Sequence, residues 1–120
     1  MESYINFNVD QGADWSAGFT LNWDDGSPVD ISNSTFQSLI RNSYYTPNVT
    51  SNIVVTLVDA SNGSGMLSMN AFTTSNIVAG KYVYDVVMTD SNGYNTRILQ
   101  GIVNVTPGVT INDPYNSFTI

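Results

Sequence analysis

Carboxylates and aromatic rings are the side chains of this chain that occur in patterns suited to chemistry. Asp24-Asp25-Gly26, followed by Asp30, places three carboxylates close together, like the opening of a calcium loop. Calcium takes roughly six to eight oxygens. The regular alternation of donors is missing, however, and so is a late bidentate glutamate, the only Glu of the chain being Glu2. Asp is also a turn former for backbone reasons, so a plain turn is the expectation. No metal and no cofactor are assigned, and Asp24, Asp25 and Asp30 stand as the weak metal candidates.

Two carboxylates can serve as the acid and base of a glycosidase, but those of this sequence lie in turns or on a strand with no sign of an enclosing pocket. Asp85 interrupts an otherwise apolar strand, which points to a wet face or to pairing with Arg97 across a hairpin. No catalytic residue is assigned and no enzymatic activity is expected. The rings of Trp15, Trp23, Tyr44, Tyr45, Tyr82, Tyr84 and Tyr94 could stack on sugars. Trp15 and Trp23 share the parity of Phe19 and Leu21 and read as core. Tyr44 and Tyr45 read as the exposed pair, the sugar-contact candidates if this is a carbohydrate- or host-surface-binding module.

Composition narrows the rest. There is no cysteine and no histidine, so disulfides, thiolate nucleophiles and the commonest general base are missing. Ten acidic residues face three basic ones for a net charge of −7. A groove following phosphates needs clustered Lys or Arg, so neither nucleic acid nor an anionic membrane is an expected partner. Small-molecule ligands are not expected either. The N-terminal stretch has neither the basic nor the apolar region of a secretory signal.

The elements that must position these groups are strands. Ala79 to Val105 reads as two long strands joined at Asp90-Ser91-Asn92-Gly93. Tyr82, Tyr84, Val86 and Met88 alternate there with Val83, Asp85, Val87 and Thr89, a period of two in β-branched and aromatic residues. Ile5, Phe7 and Val9 alternate with Tyr4, Asn6 and Asn8, and Trp15 to Trp23 alternates throughout. Further strands are expected from Phe36 to Tyr45, Ile53 to Asp59 and Met66 to Asn70. A helical turn is expected at Thr73 to Val78, capped by Thr73, Thr74 or Ser75. Such spacing predicts an all-β fold: a single antiparallel Ig-like β-sandwich of about seven to eight strands over residues 1–106, with a short extended C-terminal tail or arm over 107–120.

Three stretches resemble the small β-sandwich virion proteins of tailed bacteriophages, including the N-terminal sandwich of baseplate and tail-fibre adaptor proteins. They are Asp10-Gln11-Gly12-Ala13-Asp14-Trp15 running on through Phe19, Trp23 and Asp24-Asp25-Gly26-Ser27-Pro28-Val29-Asp30-Ile31; Ala79-Gly80-Lys81-Tyr82-Val83-Tyr84-Asp85-Val86; and Asp90-Ser91-Asn92-Gly93 with Arg97 and Leu99-Gln100-Gly101. The resemblance implies a structural subunit without catalytic residues, made in a host cytoplasm and located in the virion. Its partners would be copies of itself and other virion proteins. The expected contacts are strand edges and arms, with Ile5, Phe7 and Val9 at one end of the chain and Tyr115, Phe118 and Ile120 at the other.

Overall fold

A computed structural model describes residues 3–46 and 48–109. Its strands are β1 (Ser3–Tyr4), β2 (Phe7–Asp10), β3 (Trp15–Thr20), β4 (Thr35–Arg41), β5 (Ser51–Asn52), β6 (Val54–Asp59), β7 (Ser64–Met69), β8 (Gly80–Thr89) and β9 (Asn95–Thr106), with a 3-10 turn at Ala60–Asn62 and a short α-helix, α1 (Ala71–Ser75). They form two sheets. The larger runs β1-β9-β8-β4-β5, with β2 also paired to β9, and the smaller runs β3-β7-β6. The chain crosses between them at the buried Ile53, which separates β5 in one sheet from β6 in the other. This is the expected β-sandwich.

The β8–β9 hairpin is its centre. Tyr82, Tyr84, Val86 and Met88 are all buried, and the intervening residues face outward, as the alternation requires. The Asp90 carboxylate closes the turn by accepting the amides of Asn92 and Tyr94, both at 2.9 Å, while Gly93 adopts φ +79°. A left-handed residue at that point is accessible to glycine at little cost.

Partway along the hairpin the register slips. Val86 lies opposite Leu99 but Val87 lies opposite Arg97, so Ile98 is an extra residue on β9. A bulge reverses which face the following side chains occupy. Ile98 and Leu99 are consequently both buried, and Arg97 emerges on the outer face beside Asp85. Simple alternation from Leu99 would have turned Arg97 into the core.

The first strand departs from an all-antiparallel plan. β1 and β2 pair with β9 in parallel, in one register interrupted at Ile5 and Asn6. Side chains bridge the interruption. The Ile102 amide donates to Asn6 Oδ1 at 3.0 Å, and the Tyr84 hydroxyl donates to the Ile5 carbonyl at 2.7 Å. Tyr84 lies opposite Gly101, and a Cβ on Gly101 would stand 2.1 Å from the Ile5 oxygen. Glycine therefore lets the first strand approach and lets the tyrosine reach across. Phe7 then packs against Tyr84 and Trp15, with ring centroids 5.3 and 5.0 Å apart.

Several local expectations are corrected. Trp23 is 53% exposed, because β3 ends at Thr20 and the chain turns back. Gly26 donates to the Trp23 carbonyl and Val29 to that of Leu21, leaving the indole on a protruding loop. The third strand stops at Arg41, with Asn42 to Tyr45 forming a turn. Ser64 and Gly65 belong to β7. The helix starts earlier than expected and is capped by Asn70, whose side chain accepts the Thr73 amide. Thr74 is fully buried and serves another purpose: its hydroxyl donates to the Ala13 carbonyl and accepts the Gly12 amide.

Tyr84→Phe is expected to cost about 1 kcal/mol, the net value of an ordinary hydrogen bond, in urea denaturation. Gly101→Ala is expected to cost roughly 1–3 kcal/mol through overpacking and to remove hydrogen-exchange protection from the Ile5 and Ile102 amides. Burial pushes the Tyr84 phenol up from the ordinary 10.0 to about 12. The folded state thus holds this proton more tightly than the unfolded chain does, and stability is lost as pH rises from about 10 towards 12. A tyrosinate absorbance titration of wild type and Tyr84→Phe checks this: the late-ionising phenol should be missing from the variant.

Candidate functional site

The exposed face of the larger sheet carries a shallow groove whose floor is set by strand register. On β4 and β8, Arg41 lies opposite Val83, Leu39 opposite Asp85 and Gln37 opposite Val87. β9 extends two of these rows, placing Gln100 opposite Asp85 and Arg97 opposite Val87. The resulting cavity is about 310 Å³, with Arg41, Tyr44, Leu39, Asp85, Val87 and Arg97 among its walls. That is at the small end of ligand clefts, which span roughly 300–1,000 Å³.

Two of the three basic residues of a chain with net charge −7 line this groove. They are not equivalent. Arg97 Nε lies 3.6 Å from Asp85 Oδ2, and Arg97 Nη1 donates to Gln100 Oε1 at 3.1 Å. The sequence-level pairing of Asp85 with Arg97 is therefore present, made possible by the bulge at Ile98. Arg41 differs: its Nε is buried and has no hydrogen-bond partner among the described residues. Buried polar groups are ordinarily satisfied, so this guanidinium stands out. A lone arginine at the end of a strand carried no signal in the sequence that would have singled it out.

Tyr44 lines the groove and is 60% exposed, whereas Tyr45, at 96% exposed, projects away from it. Of the two sugar-contact candidates, the structure brings only Tyr44 to a concave surface.

The acidic loop is used locally. Asp25 Oδ1 accepts the Ser27 amide at 2.9 Å and the Ser27 hydroxyl. Asp30 Oδ1 does the same with Ser32, its amide at 3.0 Å. The two serine hydroxyls, and secondarily the two amides, hold these carboxyls below the usual range. Among the described residues, no three acidic side chains are grouped closely enough to hold an ion. Asp24, Asp25 and Asp30 are thus separate turn residues.

The terminal contact candidates divide. Val9 is fully buried, and Phe7 packs on the core against Trp15 and Tyr84. Val9 is thus core, and Phe7 is half-buried against it. Ile5 is 43% exposed but commits its carbonyl to Tyr84. Tyr115, Phe118 and Ile120 lie outside the described residues.

The sequence reading missed a more open edge. β6 ends the order of the smaller sheet, with Val54, Leu57 and Val58 at 58%, 37% and 68% exposure.

An ion pair this exposed contributes roughly 0–1 kcal/mol, so Asp85→Asn is expected to change stability by less than about 1 kcal/mol in thermal denaturation. The acidic turns make a pH prediction of definite sign. Since both carboxyls sit below the ordinary 3.8, the folded turns favour the ionised form, and this contribution is lost as pH falls through the depressed folded-state values. The amide resonances of Ser27 and Ser32 should accordingly titrate with midpoints below that of an ordinary aspartate, and Ser27→Ala and Ser32→Ala should bring the Asp25 and Asp30 midpoints back up.

No protein-family profile matches this chain, and no curated protein matches it. Among solved structures, it is similar to the Lin-41 filamin domain, with 17% identity, 84% of each chain covered and a TM-score of 0.50. It is also similar to CopC from Methylosinus trichosporium OB3b, with 14% identity, 88% of this chain and 90% of that one covered, and a TM-score of 0.48. Identities this low speak to the fold alone: the filamin likeness identifies the sandwich as Ig-like.

Proposed function

We propose that this chain is a non-enzymatic structural subunit of a tailed-bacteriophage virion. It assembles in several copies, with itself and with other virion proteins, at a tail, neck, baseplate, fibre-attachment or capsid-decoration position. The observation that carries this reading is the β6 edge. An outermost strand presents unpaired N–H and C=O groups, and natural proteins blunt such edges with lysine, proline or charge. From Val54 to Val58 there is none of these, and three apolar side chains stand exposed. Only the slip between Leu57 and Asp59, and the Asp59 charge itself, interrupt the edge. Such a strand suits addition of a neighbour's strand, in which main-chain hydrogen bonds supply affinity and alternate side chains supply fit.

Architecture gives the phage-like motifs a reason to exist without a catalytic site. Gln11 Nε2 donates to the Ile77 carbonyl, Gln11 Oε1 accepts the Gly108 amide, and Asp14 accepts the Ala71 amide. These contacts dock the Asp10-to-Trp15 turn onto α1 and the end of β9. In the second motif, the Tyr82 hydroxyl donates to the Val78 carbonyl and that of Tyr84 to Ile5. Residues of these two motifs hold the sandwich together, in keeping with a structural role.

Mass spectrometry of density-purified particles from a phage carrying this gene should find the chain at a fixed multiple of a known virion protein. Its restriction to the soluble lysate would overturn the proposal. Val58→Lys, which places a charge on the β6 edge, is expected to leave the melting temperature within about 2–4 °C, since exposed substitutions stay within about 0.5 kcal/mol. The same variant should sharply reduce incorporation into particles.

A further inference from the structure

The groove on the larger sheet has a charge pattern that the assembly reading does not use. Arg41 stands at one end with its Nε buried and without a hydrogen-bond partner among the described residues, and no carboxylate among them lies within ion-pair distance of it. Tyr44 offers a ring at that same end. Leu39, Val83 and Val87 supply an apolar floor. The Asp85 row lies two residues from the Arg41 row, about 7 Å along the strand. Arg97 neutralises part of the Asp85 charge from the far side, 3.6 Å away.

Each feature restricts the ligand. An unpaired guanidinium calls for an anion, best a carboxylate, which matches its planar fork. Asp85, ionised, is an acceptor only, so the ligand must present hydroxyl or amide donors away from its anionic end, towards the neighbouring row. A second carboxylate there would be repelled. The apolar floor and the tyrosine call for a C–H surface between these polar groups. A pyranose ring with one carboxylate has this sequence of features: an anionic end, an apolar ring face and hydroxyl donors.

We propose that the Arg41–Tyr44–Asp85 groove binds a carboxylate-bearing sugar, with the carboxylate on Arg41, the ring over Leu39 and Val83 beside Tyr44, and its hydroxyls donating to Asp85. This site is independent of assembly through β6, which belongs to the other sheet. A virion subunit would use it to touch acidic glycans on a cell surface.

Galacturonic acid, galactose and acetate are the probes, followed by the amide resonances of the ¹⁵N-labelled full chain. Galacturonic acid is expected to give saturable shifts confined to β4, β8, the Asn42–Tyr45 turn and the β9 residues around Arg97 and Gln100. Galactose, which lacks the carboxylate, and acetate, which lacks the ring, should each bind at least about tenfold more weakly, the order of one charge-assisted hydrogen bond. Arg41→Gln should weaken galacturonic acid binding by a similar factor. Lys81→Gln, which alters the basic residue outside the groove, should leave it unchanged. If Arg41→Gln loses the dispersed spectrum of the folded chain, Tyr44→Ala at its exposed position carries the same expectation. The proposal is overturned by the absence of saturable shifts with galacturonic acid, by acetate or galactose binding equally well, or by full affinity in the folded groove variants.

Discussion

One rung ties this sandwich together: Tyr84 reaching past Gly101 to the carbonyl of Ile5. Among the described residues, β9 alone in the larger sheet has neighbours of different direction on its two sides, β8 antiparallel and β1/β2 parallel. The first strand must come close enough to pair, yet it breaks its ladder at Ile5 and Asn6. A side chain on residue 101 would collide with the Ile5 oxygen, and without the Tyr84 hydroxyl that oxygen would lose its partner in the sheet. Once the rung forms, Phe7 is delivered against Trp15 and Tyr84, and Val9 seals the end of the core. Phe7 and Val9, two of the residues expected at a subunit interface, thereby pack within the subunit.

The same hairpin makes the outer face what it is. The extra residue at Ile98 rotates Arg97 out of the core and into reach of Asp85. That rotation concentrates two of the chain's three cations on one groove of an acidic molecule. Elsewhere several carboxylates are spent on their own turns, as Asp25, Asp30 and Asp90 show by accepting amides two or more residues ahead. The surface therefore divides into a carboxylate-rich periphery of closed turns, an apolar β6 edge, and a groove with an unpaired guanidinium. The edge lies on one sheet and the groove on the other, so a subunit joined to neighbours through β6 would still present the groove.

Alternation was legible for β8, for β2 and for β3 because each buries one face, and a one-residue slip would turn its apolar set to water. The turn at Asp90 to Gly93 was legible for a local reason: an Asx carboxylate and a left-handed glycine act within a few residues. Those features follow from the order of residues alone, and with them the class of the fold. Trp23 misled because its parity was right but the strand ended before it. The end is imposed from a distance, by Leu21 bonding to Gly63 and Val29 turning back on Leu21.

Other features needed the folded chain. The parallel pairing of the first and last strands joins residues nearly a hundred positions apart, and no local pattern encodes its direction. The bulge at Ile98 is invisible in an apolar run where either parity looks acceptable. The β6 edge became apparent only once Ile53 was seen to divide one β-branched run between two sheets. Arg41 is an unremarkable residue in the sequence, and its buried nitrogen, unpartnered among the described residues, is a property of the folded chain alone. Local propensity and period decide which segments become strands. Which faces and edges are left exposed, and which charges meet, depends on contacts between segments distant in the chain, where the surface features proposed to act were decided.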